Sequence, residues 1–94
     1  MMMASVEGHV PQESWATLQQ AFNQAERPAA LRAGFLIQDQ ADPTLWRVLG
    51  IWISRDAFQA YRQVTPVPGA LAIFRAAGVE PTVMFLDIKD HFSS

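Results

Sequence analysis

Ninety-four residues carrying seven Lys plus Arg against nine Asp plus Glu, a formal charge of −2, make a single domain (residues 1–94) and exclude the basic footprint that nucleic acid requires. The absence of cysteine removes disulfides, thiolate metal sites and thiol nucleophiles together, and fits a reducing compartment. Half of the residues are hydrophobic and three are Trp, more than so small a monomer hides readily, and surplus apolar surface marks an interface or a ligand cleft. No apolar run approaches the roughly 18 residues of a spanning helix, and residues 1–6 lack a basic leader, so the expectation is a cytoplasmic protein with no membrane partner.

Residues 2–8 read as a first strand, short, mostly apolar and followed by Pro11. Pro11 suits the first turn of a helix, where its missing N–H would have had no partner, and Glu13 complements the positive end of the dipole. The spacing of Trp15, Leu18, Phe22 and Ala25 predicts an amphipathic helix to about residue 26, with Gln19, Gln20, Asn23 and Gln24 outward and Pro28 as its stop. Residues 28–34 read as a connection, with Leu31 pinned to the core. A second strand is expected over 35–39, and the Asp-Pro step within 39–44 predicts a hairpin turn into a third.

That third strand, 45–53, is apolar on both parities: Trp46, Val48 and Trp52 on one, Leu45, Leu49, Ile51 and Ile53 on the other. An antiparallel strand usually keeps one wet face, so this one needs covering twice. Gly50 within it suggests a bulge or a close approach by another group. Ser54 is a plausible N-cap for a second helix with Asp56 in its first turn and Ala57, Phe58 and Tyr61 inward, ending by Thr65. Residues 66–69, Pro-Val-Pro-Gly, break it. A short helix then resumes over 70–77 with Leu71 and Phe74 inward and Gly78 as a left-handed stop. After Pro81, residues 82–88 form a last strand, apolar on both parities until Asp87, and 89–94 make a polar tail apart from Phe92.

Strand, helix, strand, strand, helix, strand is an α+β order. It predicts a ferredoxin-like βαββαβ domain, a four-stranded antiparallel sheet with helices on one face. The greasy outer face calls for a second copy of the chain, giving a homodimer through the sheet face, a dimeric α+β barrel.

The run Trp46-Arg-Val-Leu-Gly-Ile-Trp52-Ile-Ser54-Arg-Asp-Ala-Phe58-Gln-Ala-Tyr61, followed by a Pro-rich gap, Phe74 and a terminal apolar strand, resembles the antibiotic biosynthesis monooxygenase type of dimeric α+β barrel. The likeness extends over nearly the whole chain, and its signature is mostly structural. It implies a pocket between helices and sheet, with Trp52 matching the strand-ending Trp that lines it in the enzymes. Members include cofactor-independent oxygenases of polyphenolic or quinol-like substrates and haem-degrading proteins. The haem-degrading members use an Asn on the first strand and a His after the second helix. Here the single Asn is Asn23, inside the first helix, and residues 66–77 hold no His, so neither haem cleavage nor any cofactor or metal is expected.

Trp15, Phe22, Trp46, Trp52, Phe58, Tyr61 and Phe74 could together line a flat pocket for a planar aromatic small molecule, and could equally be the packing any two-layer fold needs. Trp52 and Tyr61 each add one polar tip. Oxygenation without a cofactor needs a base, a dry pocket and a cation or N–H donor near the developing oxyanion. His9 and His91 are the candidate bases and Arg62 and Arg75 the candidate cations, though exposed surface explains each as well. No nucleophilic triad, phosphate loop or dinucleotide fingerprint is present. Two functions therefore stay open: oxygenation of a planar aromatic or quinol-like substrate, and a non-catalytic, ligand-binding or stress-related dimer.

Overall fold

Met2, Ala4 and Val6 are buried while their neighbours Met3, Ser5 and Glu7 stay half-exposed, the period of two that a strand covered on one side shows. The computed structural model describes residues 1–65 and 67–93. In chain order these form β1 (Met2–His9), a 3-10 turn (Gln12–Ser14), α1 (Trp15–Gln24), β2 (Leu31–Gln38), β3 (Leu45–Trp52), α2 (Arg55–Val64), α3 (Gly69–Ala76) and β4 (Thr82–Asp87). The four strands make one antiparallel sheet in the order β2-β3-β1-β4. This is the ferredoxin-like α+β arrangement the element order predicts, a slab 20 Å through its thinnest axis.

Local chemistry fixes the ends. Ser54 Oγ accepts the N–H of Ala57 at 3.0 Å and caps α2, as expected. Gly78 stops α3 at a φ of 77°, where its N–H donates to the carbonyl of Arg75 and that of Val79 to the carbonyl of Phe74, each at 3.0 Å. Tyr61 Oη accepts the Gly69 N–H at 3.0 Å, tying α2 to the start of α3. Pro66 of the expected breaker and Ser94 of the expected tail lie outside the described residues.

β2 departs from the sequence reading. It starts at Leu31 rather than at residue 35, because pairing with β3 overrides the poor strand propensity of the Ala- and Gly-containing stretch before Phe35. The expected irregularity at Gly50 appears on the facing strand instead: Leu31 pairs with Trp52 and Ala33 with Ile51, so Arg32 is the extra residue of a bulge. The first α-helical turn likewise begins at Trp15, after a 3-10 turn at residues 12–14.

The core divides in two. Beneath α1 and α3, Val6, Val10, Leu18, Trp46, Val48, Ile73, Phe74 and Ala77 form one buried cluster, and beneath α2, Met2, Ala4, Trp52 and Phe58 form another. Ile73 joins Phe74 as a buried residue of α3, whereas Leu71, expected inward, is half-buried. Among the described residues no helix is long and apolar enough to cross a membrane.

Candidate functional site: a cleft between helices and sheet

Between the two clusters lies a cavity of about 520 Å³, within the range of small-molecule sites. Strand register explains it. On the helix side of the sheet, one row across the strands reads Leu31, Trp52, Met2 and Asp87, and another reads Leu36, Val48, Val6 and Val83. The row between them is Gly34, Gly50, Ala4 and Phe85. Three of its four members have almost no side chain, so the floor sinks where the flanking rows rise. A Cβ added at Gly34 would meet only the carbonyl oxygen of Leu49, at 3.9 Å, which leaves the space above it open.

The helices supply the roof. Phe22 comes from α1 and Ala25 from its C-cap, Phe58, Tyr61 and Arg62 from α2, and Leu71 and Ile73 from α3. Trp52 forms one wall, with ring centroids 5.0 Å from Phe58 and 5.1 Å from Tyr61. Its Nε1 stands 3.2 Å from the place a Gly50 Cβ would take, so the N–H edge of the indole lies over the trough, and it makes no hydrogen bond with the described residues. Arg62 sits over the faces of Phe58 and Phe85, its guanidinium carbon 5.7 and 5.4 Å from their centroids.

Of the residues the sequence singled out, Phe22, Trp52, Phe58, Tyr61 and Arg62 line the cleft. The others do not join them. Trp15 and Trp46 pack edge to face at 5.7 Å in the core under α1, where Trp15 Nε1 donates to the Val10 carbonyl and Trp46 Nε1 is sealed in with no partner among the described residues. Phe74 is completely buried in that core. Helical spacing and strand parity put all these rings on inward faces, but two separate clusters lie inward.

His9 Nδ1 is 3.0 Å from Thr44 Oγ1 and 3.5 Å from Asp42 Oδ2, on the exposed hairpin end of the sheet and away from the cleft. Arg75 is engaged by Glu80 through two hydrogen bonds, 3.1 and 3.0 Å, which hold its guanidinium further into the charged range and Glu80 below the usual carboxylate range. His91 lies in the exposed C-terminal tail. Among the described residues no three His, Cys, Asp or Glu side chains group as metal ligands.

Sequence reasoning missed the floor and half of the mouth. Gly34, Ala4, Leu31, Glu26, Arg27 and Arg32 all line the cleft. Gly50 was marked for a close approach, but nothing in the spacing places Gly34 opposite it. The bulge at Arg32 lets two consecutive residues, Leu31 and Arg32, face the same cavity, which a regular strand forbids.

The architecture is that of antibiotic biosynthesis monooxygenase-type proteins: the chain has their fold, matched from end to end by solved structures of low sequence identity. A variant of MhuD with two manganese protoporphyrin IX molecules bound per active site superposes with a TM-score of 0.73 at 16% identity, over 100% of both chains. Rv0793 from Mycobacterium tuberculosis gives 0.68 at 17% identity over 98% of both chains. An antibiotic biosynthesis monooxygenase gives 0.68 at 15% identity, over 96% of this chain and 100% of that one. No sequence-family model and no curated protein matches the sequence.

Proposed function

We propose that this protein binds a planar aromatic small molecule in the cleft and works as a homodimer joined through the outer face of the sheet. The row Gly34, Gly50, Ala4 carries the reading: it leaves a flat-floored slot walled by Trp52 and roofed by Phe22, Phe58 and Tyr61, a shape that suits a stacked ring system rather than a chain-like ligand. The protoporphyrin in the MhuD structure lends support only as a planar ligand on this fold. Haem itself fits this chain poorly. Among the described residues the cleft lining holds no His, Cys or Met to bind the iron, and the Tyr61 hydroxyl is engaged by Gly69.

For the dimer, the support is the outer face. Its rows read Ala33, Ile51, Met3, Leu86 and then Phe35, Leu49, Ser5, Met84, closed at one end by the Arg47–Glu7 ion pair at 3.3 Å. Phe35 and Met84 are each half exposed. The chain exposes 6201 Å² where a compact monomer of this mass exposes about 5,400 Å².

A second reading, cofactor-independent oxygenation of a quinol-like substrate, is favoured by the unpartnered Trp52 N–H and by Arg62. Such a substrate, as its anion, passes an electron to dioxygen; the two radicals combine into a peroxide that loses water to leave a carbonyl. Trp52 N–H and Arg62 would stabilise the oxyanions, and Glu26, the one carboxylate of the lining, would take the first proton.

Tryptophan fluorescence during titration with planar aromatics tests binding; saturation is expected, and its absence across a broad panel overturns the reading. Oxygen uptake with anthrone and dihydroxy-aromatics tests the chemistry. The second reading expects turnover that Trp52→Phe cuts by about tenfold or more, a donor's contribution to an oxyanion. Uptake at background in both proteins removes it.

A further inference from the structure

The arginines of this chain fall into two sets. Arg47 pairs with Glu7 and Asp39, Arg55 with Asp87 at 3.9 Å and Arg75 with Glu80. The remaining three, Arg27, Arg32 and Arg62, have no carboxylate within ion-pair distance among the described residues, and all three line the cleft. They reach it from separate elements: Arg27 follows α1, Arg32 is the bulged residue of β2 and Arg62 is in the last turn of α2. Against them the lining offers one carboxylate, Glu26. A chain of net charge −2 thus keeps a local excess of positive charge at one opening.

We infer that the cleft takes a planar aromatic acid, its fused rings in the glycine-floored slot and its carboxylate at the mouth, held by Arg27, Arg32 and Arg62. The assignment rests on the cleft being a planar-ligand site and adds the charge of the ligand. Guanidinium suits the task on two counts. It is attracted to aromatic faces, as Arg62 lies over Phe58 and Phe85, and its N–H edge matches a carboxylate with two parallel hydrogen bonds. At the exposed mouth the three positive charges act together on the anion, and salt screens them. A neutral ring system of the same size would leave three cations with only water and Glu26 to face.

The test compares anthracene-2-carboxylate with anthracene-2-methanol, a neutral ligand of the same shape, by tryptophan fluorescence and calorimetry. The proteins are the wild type, Arg32→Gln/Arg62→Gln and Arg27→Gln. These side chains are exposed, so the variants should keep the fold, the double variant melting slightly lower because Arg62 leaves the faces of Phe58 and Phe85. In the wild type the acid is expected to bind at least about tenfold more tightly than the alcohol, with an advantage that shrinks as salt rises. In the double variant that advantage should vanish, the acid losing at least about tenfold more affinity than the alcohol does; Arg27→Gln should reduce the advantage partway. Equal affinities for acid and alcohol in the wild type overturn the charge assignment and leave the planar-ligand cleft standing. An acid preference unchanged in every variant overturns the role given to these arginines. Binding of neither ligand removes the cleft reading and the inference with it.

Discussion

Gly34 and Gly50 face each other across β2 and β3 on the helix side of the sheet, and the cleft exists because neither brings a side chain to that point. The space above Gly34 is the emptier of the two, with nothing but the Leu49 carbonyl oxygen within 4 Å of a built Cβ. Gly34→Leu should therefore fill the slot without touching the core. Because its backbone has no positive φ, the substitution also lowers the entropy of the unfolded chain, which offsets exposure of the new side chain to within about 1 kcal/mol. The expected outcome is a melting temperature close to wild type and no saturable fluorescence change with planar aromatics. A variant that still binds would move the ligand elsewhere.

Adding one methyl at two other glycines distinguishes cleft from core. At Gly8 a Cβ would meet Val79 Cγ1 at 2.9 Å and Phe74 Cδ1 at 3.4 Å, inside the cluster under α3. At Gly50 it would meet Trp52 Nε1 at 3.2 Å and Leu31 Cδ1 at 3.3 Å, beside open space into which both can give. Gly8→Ala should cost about 1–3 kcal/mol by overpacking, Gly50→Ala about 1 kcal/mol or less. Gly50→Ala should also shift the emission of Trp52, whose ring must move. Urea denaturation of both variants checks the order, and a larger loss at Gly50 would mean that the slot is tightly filled in solution.

Much of the fold is written in local pattern. Ser54 before an Asp-containing first turn, Gly78 after the last apolar residue of α3 and the two-sided grease of residues 45–53 each name their structural role without reference to anything distant. The cleft is a property of register. Gly34 gains meaning only when it lands opposite Gly50, and Arg32 only when a bulge turns it to the side of Leu31. Trp15 and Phe74 show the converse. Their spacing is as inward-facing as that of Phe22 and Phe58, and no periodicity distinguishes a ring that seals a core from one that roofs a cavity.

The outer rows of the sheet make the assembly testable in isolation from the ligand. Phe35 and Met84 lie in one cross-strand row with Leu49 and Ser5 between them. Phe35→Glu/Met84→Glu puts two charges in the middle of the proposed interface, where twofold symmetry doubles them and burial makes each expensive. Light scattering at micromolar concentration should give twice the chain mass for the wild type and the single chain mass for the variant. A wild-type protein of single mass would remove the dimer.

Asp39 gives the hairpin between β2 and β3 a pH dependence of definite sign. Its Oδ1 accepts the N–H groups of Ala41 at 2.8 Å and Asp42 at 3.0 Å, and Arg47 lies 3.8 Å from Oδ2. The two backbone donors, and after them the Arg47 charge, favour the ionised form and hold the carboxyl below the usual carboxylate range. A group whose pKa is lower folded than unfolded stabilises the fold fully above its unfolded pKa and loses that contribution as pH falls through the folded one. Asp39→Ala should accordingly be less stable than wild type at pH 7, with the gap narrowing steadily below about pH 4. Urea midpoints across that range measure it. A gap that stays constant down to acid pH would show that the Asp39 carboxylate does not hold the turn through its charge.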